Sequence, residues 1–311
     1  MSTPSPITPL HHPLFEQANI SVCIKRDDQI HPIISGNKWR KLKGNVELAL
    51  QQGKKGIVSF GGAYSNHIHA LSYACKINGL SSVGIIRGEQ HFQENATLSQ
   101  AKSWGMNLQF VDRATYKLRH DEAFLIQVRD NYPDHLIVPE GGTNDAALTG
   151  VGEVMDELET QLEFDTIITP VGSAGTIAGL IKSDKNKHNI VGISVLKGAQ
   201  YLEDEVKKLI QDDTNQTTNW EILHDFHLGG YAKFSTRDIQ HLAQLNKQLG
   251  VMFEPIYSGK MLLAFISLVE QGYFSSGERV VLLHTGGLQG INGMLERNIL
   301  PSSQWPWQLV Q

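Results

Sequence analysis

Short apolar runs alternate with longer stretches of helical periodicity along most of this chain. The runs predict strands at 20–25, 56–60, 82–86, 108–111, 136–139, 166–170, 189–194 and 280–284. The stretches between them predict helices at 41–52, 65–78, 94–104, 122–131, 150–162, 176–182, 203–211, 236–250 and 261–271. Strands separated by helices point to an α/β fold with largely parallel sheets and helices on both faces. The polar cluster over 211–220 is the best candidate for an exposed loop, and no internal repeat is visible.

Glycine falls repeatedly where a predicted strand ends: Gly61-Gly62, Gly141-Gly142, Gly172 with Gly175, and Gly286-Gly287. Ligands of open α/β sheets bind outside the carboxyl ends of the strands, so these turns are where chemistry is expected. Any single pair reads equally well as the ordinary preference of β–α turns for glycine; the four together say more.

Composition narrows the classes. With 311 residues, 41% of them hydrophobic, the chain can bury a sizeable core in one large or two intimately packed domains. Its 27 Lys and Arg residues are scattered within a net charge of −5, which leaves neither a nucleic-acid footprint nor a polybasic membrane patch. Residues 1–13 are polar and proline-rich, unlike a signal peptide, and no apolar run approaches the roughly 18 residues of a membrane span. Cys23 and Cys75 lie far apart and belong to no CxxC, so a disulfide framework is not expected and a cytoplasmic location is. His67 and His69, two apart, point differently on a helix and give no metal spacing, so no metal is expected.

Three turns could carry chemistry. In Ser35-Gly36-Asn37-Lys38 a lysine follows a flexible turn amid Ile33, Ile34 and Trp39. Burial lowers an amine's pKa and makes it a nucleophile toward a carbonyl, although most lysines are solvated surface charges. In the stretch from Ser59 to His67 a strand runs into paired glycines, and Ser65 stands as an N-cap. The exposed N–H groups of that turn suit a carboxylate, but plain capping by Ser65 is the readier reading, and both can hold at once. In Gly172-Ser173-Ala174-Gly175-Thr176 two glycines and two hydroxyls follow a strand and open an apolar helix. Such a loop suits a phosphate, and a glycine-rich helix start with no ligand is an equal reading. The loop has neither the GK[ST] of a Walker A motif nor GxGxxG spacing, so a phosphate with a modest appendage fits better than a nucleotide.

In this order the three regions resemble fold-type II pyridoxal-5′-phosphate (PLP) enzymes of the tryptophan synthase beta-like fold. More narrowly, they resemble the family of 1-aminocyclopropane-1-carboxylate (ACC) deaminase and D-cysteine desulfhydrase. The likeness also takes in Ile24-Lys25-Arg26-Asp27-Asp28, Glu254-Pro255-Ile256-Tyr257-Ser258-Gly259-Lys260 and His284-Thr285-Gly286-Gly287. It implies two domains, each a largely parallel twisted sheet flanked by helices. The large PLP-binding domain would comprise 1–43 and 149–311, and a small inserted domain 44–148. A homodimer is implied by family analogy alone.

The resemblance also implies roles. Lys38 bonds the PLP cofactor covalently and carries protons. Asn66 bonds the cofactor's O3′, and Gly172, Ser173, Ala174, Gly175 and Thr176 hold its phosphate. Ser65, Asn66 and His67 bind the substrate, with Ser65 and nearby amides on its carboxylate, while Tyr231 and Tyr257 line the reacting side. Ser258 lies by the pyridine nitrogen, where ACC deaminases carry glutamate and desulfhydrases serine or threonine; Thr285, where ACC deaminases usually carry leucine, points the same way. The expected activity is therefore PLP-dependent β-elimination from a small amino acid, D-cysteine ahead of ACC. An amino-acid racemase or dehydratase and a catalytically silent PLP-binding protein are the further alternatives. His69, where arginine is usual, and Asp145-Ala146-Ala147 depart from the family pattern on the substrate side.

Overall fold

The computed structural model describes residues 3–34, 36–211, 219–300 and 305. In chain order its strands are β1 (Ile7–Leu10), β2 (Ser21–Lys25), β3 (Gly56–Gly62), β4 (Ser81–Arg87), β5 (Asn107–Val111), β6 (His135–Val138), β7 (Thr166–Val171), β8 (Asn189–Ser194), β9 (Trp220–Leu223) and β10 (Arg279–Leu283). The helices are α1 (Pro13–Gln17), α2 (Asn37–Gln51), α3 (Asn66–Ile77), α4 (Ala96–Ser103), α5 (Arg113–Lys117), α6 (Glu122–Asn131), α7 (Asp145–Gln161), α8 (Gly175–Asp184), α9 (Tyr201–Ile210), α10 (Thr236–Leu249), α11 (Ser258–Glu270) and α12 (Gly290–Glu296).

All eight predicted strands are present, their ends shifted by at most two residues. Two more escaped the pattern. β1 contains Pro9, which has no N–H to donate, and accordingly lies at a sheet edge. β9 forms the opposite edge and has one fully buried position, so no alternation betrays it. The helices α1, α5 and α12, of five to seven residues, are too short for a 3.6-residue period to show. Of the loop expected over 211–220, residues 212–218 lie outside the described residues, and Trp220 opens β9.

Two units follow from the contacts: Met1–Asn37 with Val151–Gln311, and Lys38–Gly150. The larger holds six strands in the order β1-β2-β10-β7-β8-β9, parallel except for β1. The smaller holds β5-β4-β3-β6, all parallel. Every residue of β7 is buried, as a strand covered by helices on both faces requires. The smaller unit begins at Lys38, not 44, and ends at Gly150, not 148. Glycines explain the difference. A Cβ on Gly44 would lie 2.4 Å from the Ala146 carbonyl oxygen, and one on Gly150 would lie 2.2 Å from that of Arg40. α2 and α7 thus cross backbone against backbone, and Gly150, read as a helix start, lies inside α7.

The parallel register sets Leu283 beside Lys25 and Leu282 beside Ile168, so the turns after β2, β10 and β7 leave one edge of the larger sheet. Behind that edge Lys25 is fully buried. Its ammonium bonds Glu157 at 2.6 Å, Gln161 at 2.6 Å and the Ser5 carbonyl at 2.9 Å. The Ser5 hydroxyl donates to Asp27 at 2.7 Å, and the Asp27 carbonyl accepts the Gly36 amide at 2.8 Å. Sequence distance collapses here: residues 5, 25, 157 and 161 together brace the turn that leads to Asn37.

Because truncating one partner strands the others in low dielectric, Lys25→Met should cost about 3–5 kcal/mol. Urea unfolding measures it, and an unchanged midpoint would contradict the bracing role.

Candidate active site

In the larger unit the turn after β7 opens α8 without a side-chain cap, its N-cap being Ala174. The first-turn amides of a helix have no intrahelical partner and carry the positive end of the dipole. Gly175 and Thr176 are buried in that first turn. Gly172 leaves the turn concave, for a Cβ there would come within 2.7 Å of the Tyr257 ring. Uncapped amides, a buried hydroxyl and a cradle that a side chain would fill are the features a phosphate needs, and these residues fit one.

Asn37 ties this turn to two neighbours. Its side-chain amide donates to Thr176 Oγ1 at 2.9 Å, and its backbone N–H donates to the Thr285 carbonyl at 3.2 Å. Gly36 makes the second bond possible: it has φ +66°, and a Cβ on it would collide with the Thr285 carbonyl oxygen at 1.9 Å. Thr285 is itself held by its neighbour His284, which donates through Nε2 to the Met252 carbonyl at 2.7 Å and accepts the Gly286 amide at Nδ1 at 3.2 Å. Lys38 is the next residue after Asn37 and lies in the first turn of α2.

The C-terminal motif contributes a second cluster. Tyr257 donates its hydroxyl to Tyr231 at 3.4 Å, the rings standing edge to face at 6.0 Å. Lys260, buried, donates to the carbonyls of His227 at 2.7 Å and Gly230 at 2.6 Å, fixing the segment that delivers Tyr231. Burial pulls the Lys260 amine down to about 8. The Ser258 side chain is fully buried beside Glu254. The Glu254 carboxylate accepts the amides of Ile256 at 2.7 Å and of Tyr257 and Ser258 at 2.8 Å. Burial pushes its carboxyl up to about 7, against the pull of those three amides and the Ser258 hydroxyl.

In the smaller unit Lys38 and Lys41 stand three apart on α2, hence on one face. Lys41 is buried and donates to Thr143 Oγ1 at 3.2 Å; burial, with the charge of Lys38, lowers its amine to about 7. An amine with that value can take or give a proton at neutral pH. At the end of β3, Ser65 caps α3 by accepting the Ile68 amide at 3.3 Å, and Asn66 is the first helical residue. Ser65 thus caps the helix, the plainer of its two expected roles. His67 is buried one residue on. Ser59 gives its proton to the Val138 carbonyl at 2.8 Å, so His67 Nε2 must be the donor in their 2.7 Å contact. Burial, then the charges of Lys38 and Lys41, drive the imidazole down to about 3. It is a neutral ring whose Nδ1 has no hydrogen-bond partner among the described residues.

His69 turns inward. Its Nε2 meets Gln100 at 2.7 Å, and its ring packs edge-on against Trp104 at 4.8 Å, joining α3 to α4. Asp145-Ala146-Ala147 opens α7, where Ala146 meets Gly44. Sequence reasoning did not single out Asn37, Lys41, Glu254 or Lys260, although Asn37, Glu254 and Lys260 stood in its quoted motifs. A lysine one helical turn after Lys38 was a readable signal for Lys41; nothing local marked the other three. Among the described residues no group of three or more His, Cys, Asp or Glu could hold a metal, and no helix is long and apolar enough to cross a membrane.

The family described as pyridoxal-phosphate dependent enzyme matches residues 2–286. A Thermotoga maritima protein named "Putative 1-aminocyclopropane-1-carboxylate deaminase" is 32% identical over 305 residues, which are 93% of this chain and 95% of that one. The Arabidopsis thaliana protein named "Bifunctional D-cysteine desulfhydrase/1-aminocyclopropane-1-carboxylate deaminase, mitochondrial" is 26% identical over 304 residues, 91% of this chain and 76% of that one. A crystal structure of an ACC deaminase homologue superposes with a TM-score of 0.81 at 25% identity, covering 95% of this chain and 94% of the other.

The buried His67 ring makes a pH prediction. Its folded-state value lies below the ordinary 6.5, so on acidification the unfolded chain binds the proton first and stability falls from pH 6.5 toward about 3. His67→Gln keeps a donor for Ser59 and does not titrate. Urea midpoints measured stepwise below pH 6.5 should fall more steeply for the wild type, by up to about 1.4 kcal/mol per pH unit. Parallel curves would show that the ring is not held neutral.

Proposed function

The chain belongs to the pyridoxal-phosphate-dependent enzymes, and from that premise we propose that it is a lyase acting on a small amino acid, most readily D-cysteine. The reading rests above all on the Asn37–Thr176 bond of 2.9 Å, which ties the residue preceding Lys38 to the uncapped turn that fits a phosphate. Bound PLP supplies an electron sink that weakens the bonds at the substrate's Cα. The protein does the rest. Lys38 would hold the cofactor covalently and would move the proton at the substrate's Cα. The amides and hydroxyls of Gly172, Ser173, Ala174, Gly175 and Thr176 bind the phosphate. Asn66 bonds the cofactor's O3′. Ser65, Asn66 and His67 bind the substrate, with Ser65 and the amides beside it on its carboxylate. Tyr257, in hydrogen-bond contact with Tyr231, gives a proton to the departing group. D-Cysteine and water then yield pyruvate, hydrogen sulfide and ammonia. Ser258 and Thr285, at positions where the resembled ACC deaminases carry glutamate and leucine, support this substrate.

Deamination of ACC to 2-oxobutyrate and ammonia is the second reading, favoured by the names of the Thermotoga and Arabidopsis relatives.

Purified protein incubated with D-cysteine, L-cysteine, D-serine and ACC should release pyruvate with equimolar sulfide from D-cysteine. A 2-oxobutyrate signal from ACC alone would replace the first reading with the second, and an inverted amino acid without keto acid would point to a racemase. Lys38→Ala should abolish the visible absorbance of bound PLP and reduce turnover by at least about 10³-fold, the scale on which removal of a proton-transfer group acts. Retention of both would refute the role of this lysine.

A further inference from the structure

Whether a buried hydroxyl donates or accepts depends on what else competes for its proton. The Ser258 oxygen accepts the Glu254 backbone N–H at 3.1 Å. Its hydrogen has two acceptors within reach, Glu254 Oε1 at 3.3 Å and the Glu254 carbonyl at 3.5 Å. A hydrogen bond to an ionised group is roughly twice as strong as a neutral one, so the carboxylate wins. One lone pair of Ser258 then remains, and toward any further group this hydroxyl is an acceptor. The carboxylate cannot swing away, because three backbone amides of the same turn hold both its oxygens.

We propose that Glu254 is a positioning residue that acts through Ser258: by holding the hydroxyl's proton it leaves Ser258 an acceptor and keeps the pyridine nitrogen of bound PLP protonated. This rests on the function proposed above, in which Ser258 faces that nitrogen. No proton passes between the two side chains. Ser258 keeps its hydrogen, and the ring nitrogen takes its proton from solvent on binding. The support is mutual, since a positive ring beyond Ser258 favours the charged form of Glu254, which burial alone opposes. Serine in place of a carboxylate therefore does not leave the ring neutral here. The carboxylate is present one hydrogen bond farther back. A protonated ring is the stronger electron sink, which brings opening of a cyclopropane within the reach of the same residues that expel a thiolate.

The test reads the nitrogen itself. Full-length protein is reconstituted with PLP carrying nitrogen-15 in the ring, and the spectrum is compared with free-base and pyridinium standards. The wild type is expected at the pyridinium position. Glu254→Gln, whose amide oxygen still accepts from the helix turn, is expected to move most of the way to the free-base position, and Ser258→Ala to do the same. A wild-type signal at the free-base position overturns the proposal whether or not the variants fold. A shift in Ser258→Ala without one in Glu254→Gln overturns the relay but leaves the site intact. A Ser258→Ala signal unchanged from wild type shows that Ser258 does not face the nitrogen, and the placement of the cofactor fails with it.

Discussion

Two hydrogen bonds from one residue organise the turns at the sheet edge of the larger unit. Asn37 spends its side-chain amide on Thr176 and its backbone N–H on the Thr285 carbonyl, so the turns after β7 and β10 are held by the segment that follows β2. These three strands run parallel and end at one edge, and at such an edge the departing turns must find partners for their own N–H and C=O groups. The Asn37 backbone N–H meets that need at the Thr285 carbonyl, and its side-chain amide adds a bond to the Thr176 hydroxyl. The bracing extends backward through Gly36, Asp27 and Ser5 to the buried ammonium of Lys25. The turn before Lys38 is thus set by residues that never touch a ligand.

Buried ionisable groups are the second theme. Lys25, Lys41, Glu254 and Lys260 are all nearly inaccessible, and each has specific partners. Their environments differ in kind. Lys25 is paired with a carboxylate and is structural. Lys260 bonds carbonyls and positions a tyrosine. Lys41 and Glu254 are drawn by burial toward neutrality from opposite sides, both to about 7. Shifts of this kind gather where protons are managed, and both groups belong to motifs that also carry a proposed site residue, Lys38 and Ser258.

The serine at 258 shows how a residue's type can mislead when its partner is out of view. As a letter it says hydroxyl, and a hydroxyl beside a pyridine nitrogen suggests a neutral ring. Its chemistry is set by Glu254, four positions earlier, through a turn that folds the carboxylate back onto the serine. The same lesson holds for His67 and His69. Two apart on α3 and expected to point differently, they part in partners that no letter shows: one is a neutral ring bonded to Ser59 and the other a packing group between α3 and α4.

What the sequence determined by itself was the alternation of strands and helices, the glycine turns at strand ends and the motif order. These are local: a buried parallel strand must be an apolar run, and a turn that meets a phosphate must shed its side chains. The family and its cofactor were legible for the same reason. Tertiary structure alone decided which residues share an environment. It made Gly44 and Gly150 the crossing points of α2 and α7, made β1 and β9 edge strands, joined Ser5 to Gln161 across the larger unit, and turned Glu254 onto Ser258. Hydrogen-bond partnership and desolvation depend on distances in space, and residues remote in sequence, or reversed by a turn, carry no local mark of them.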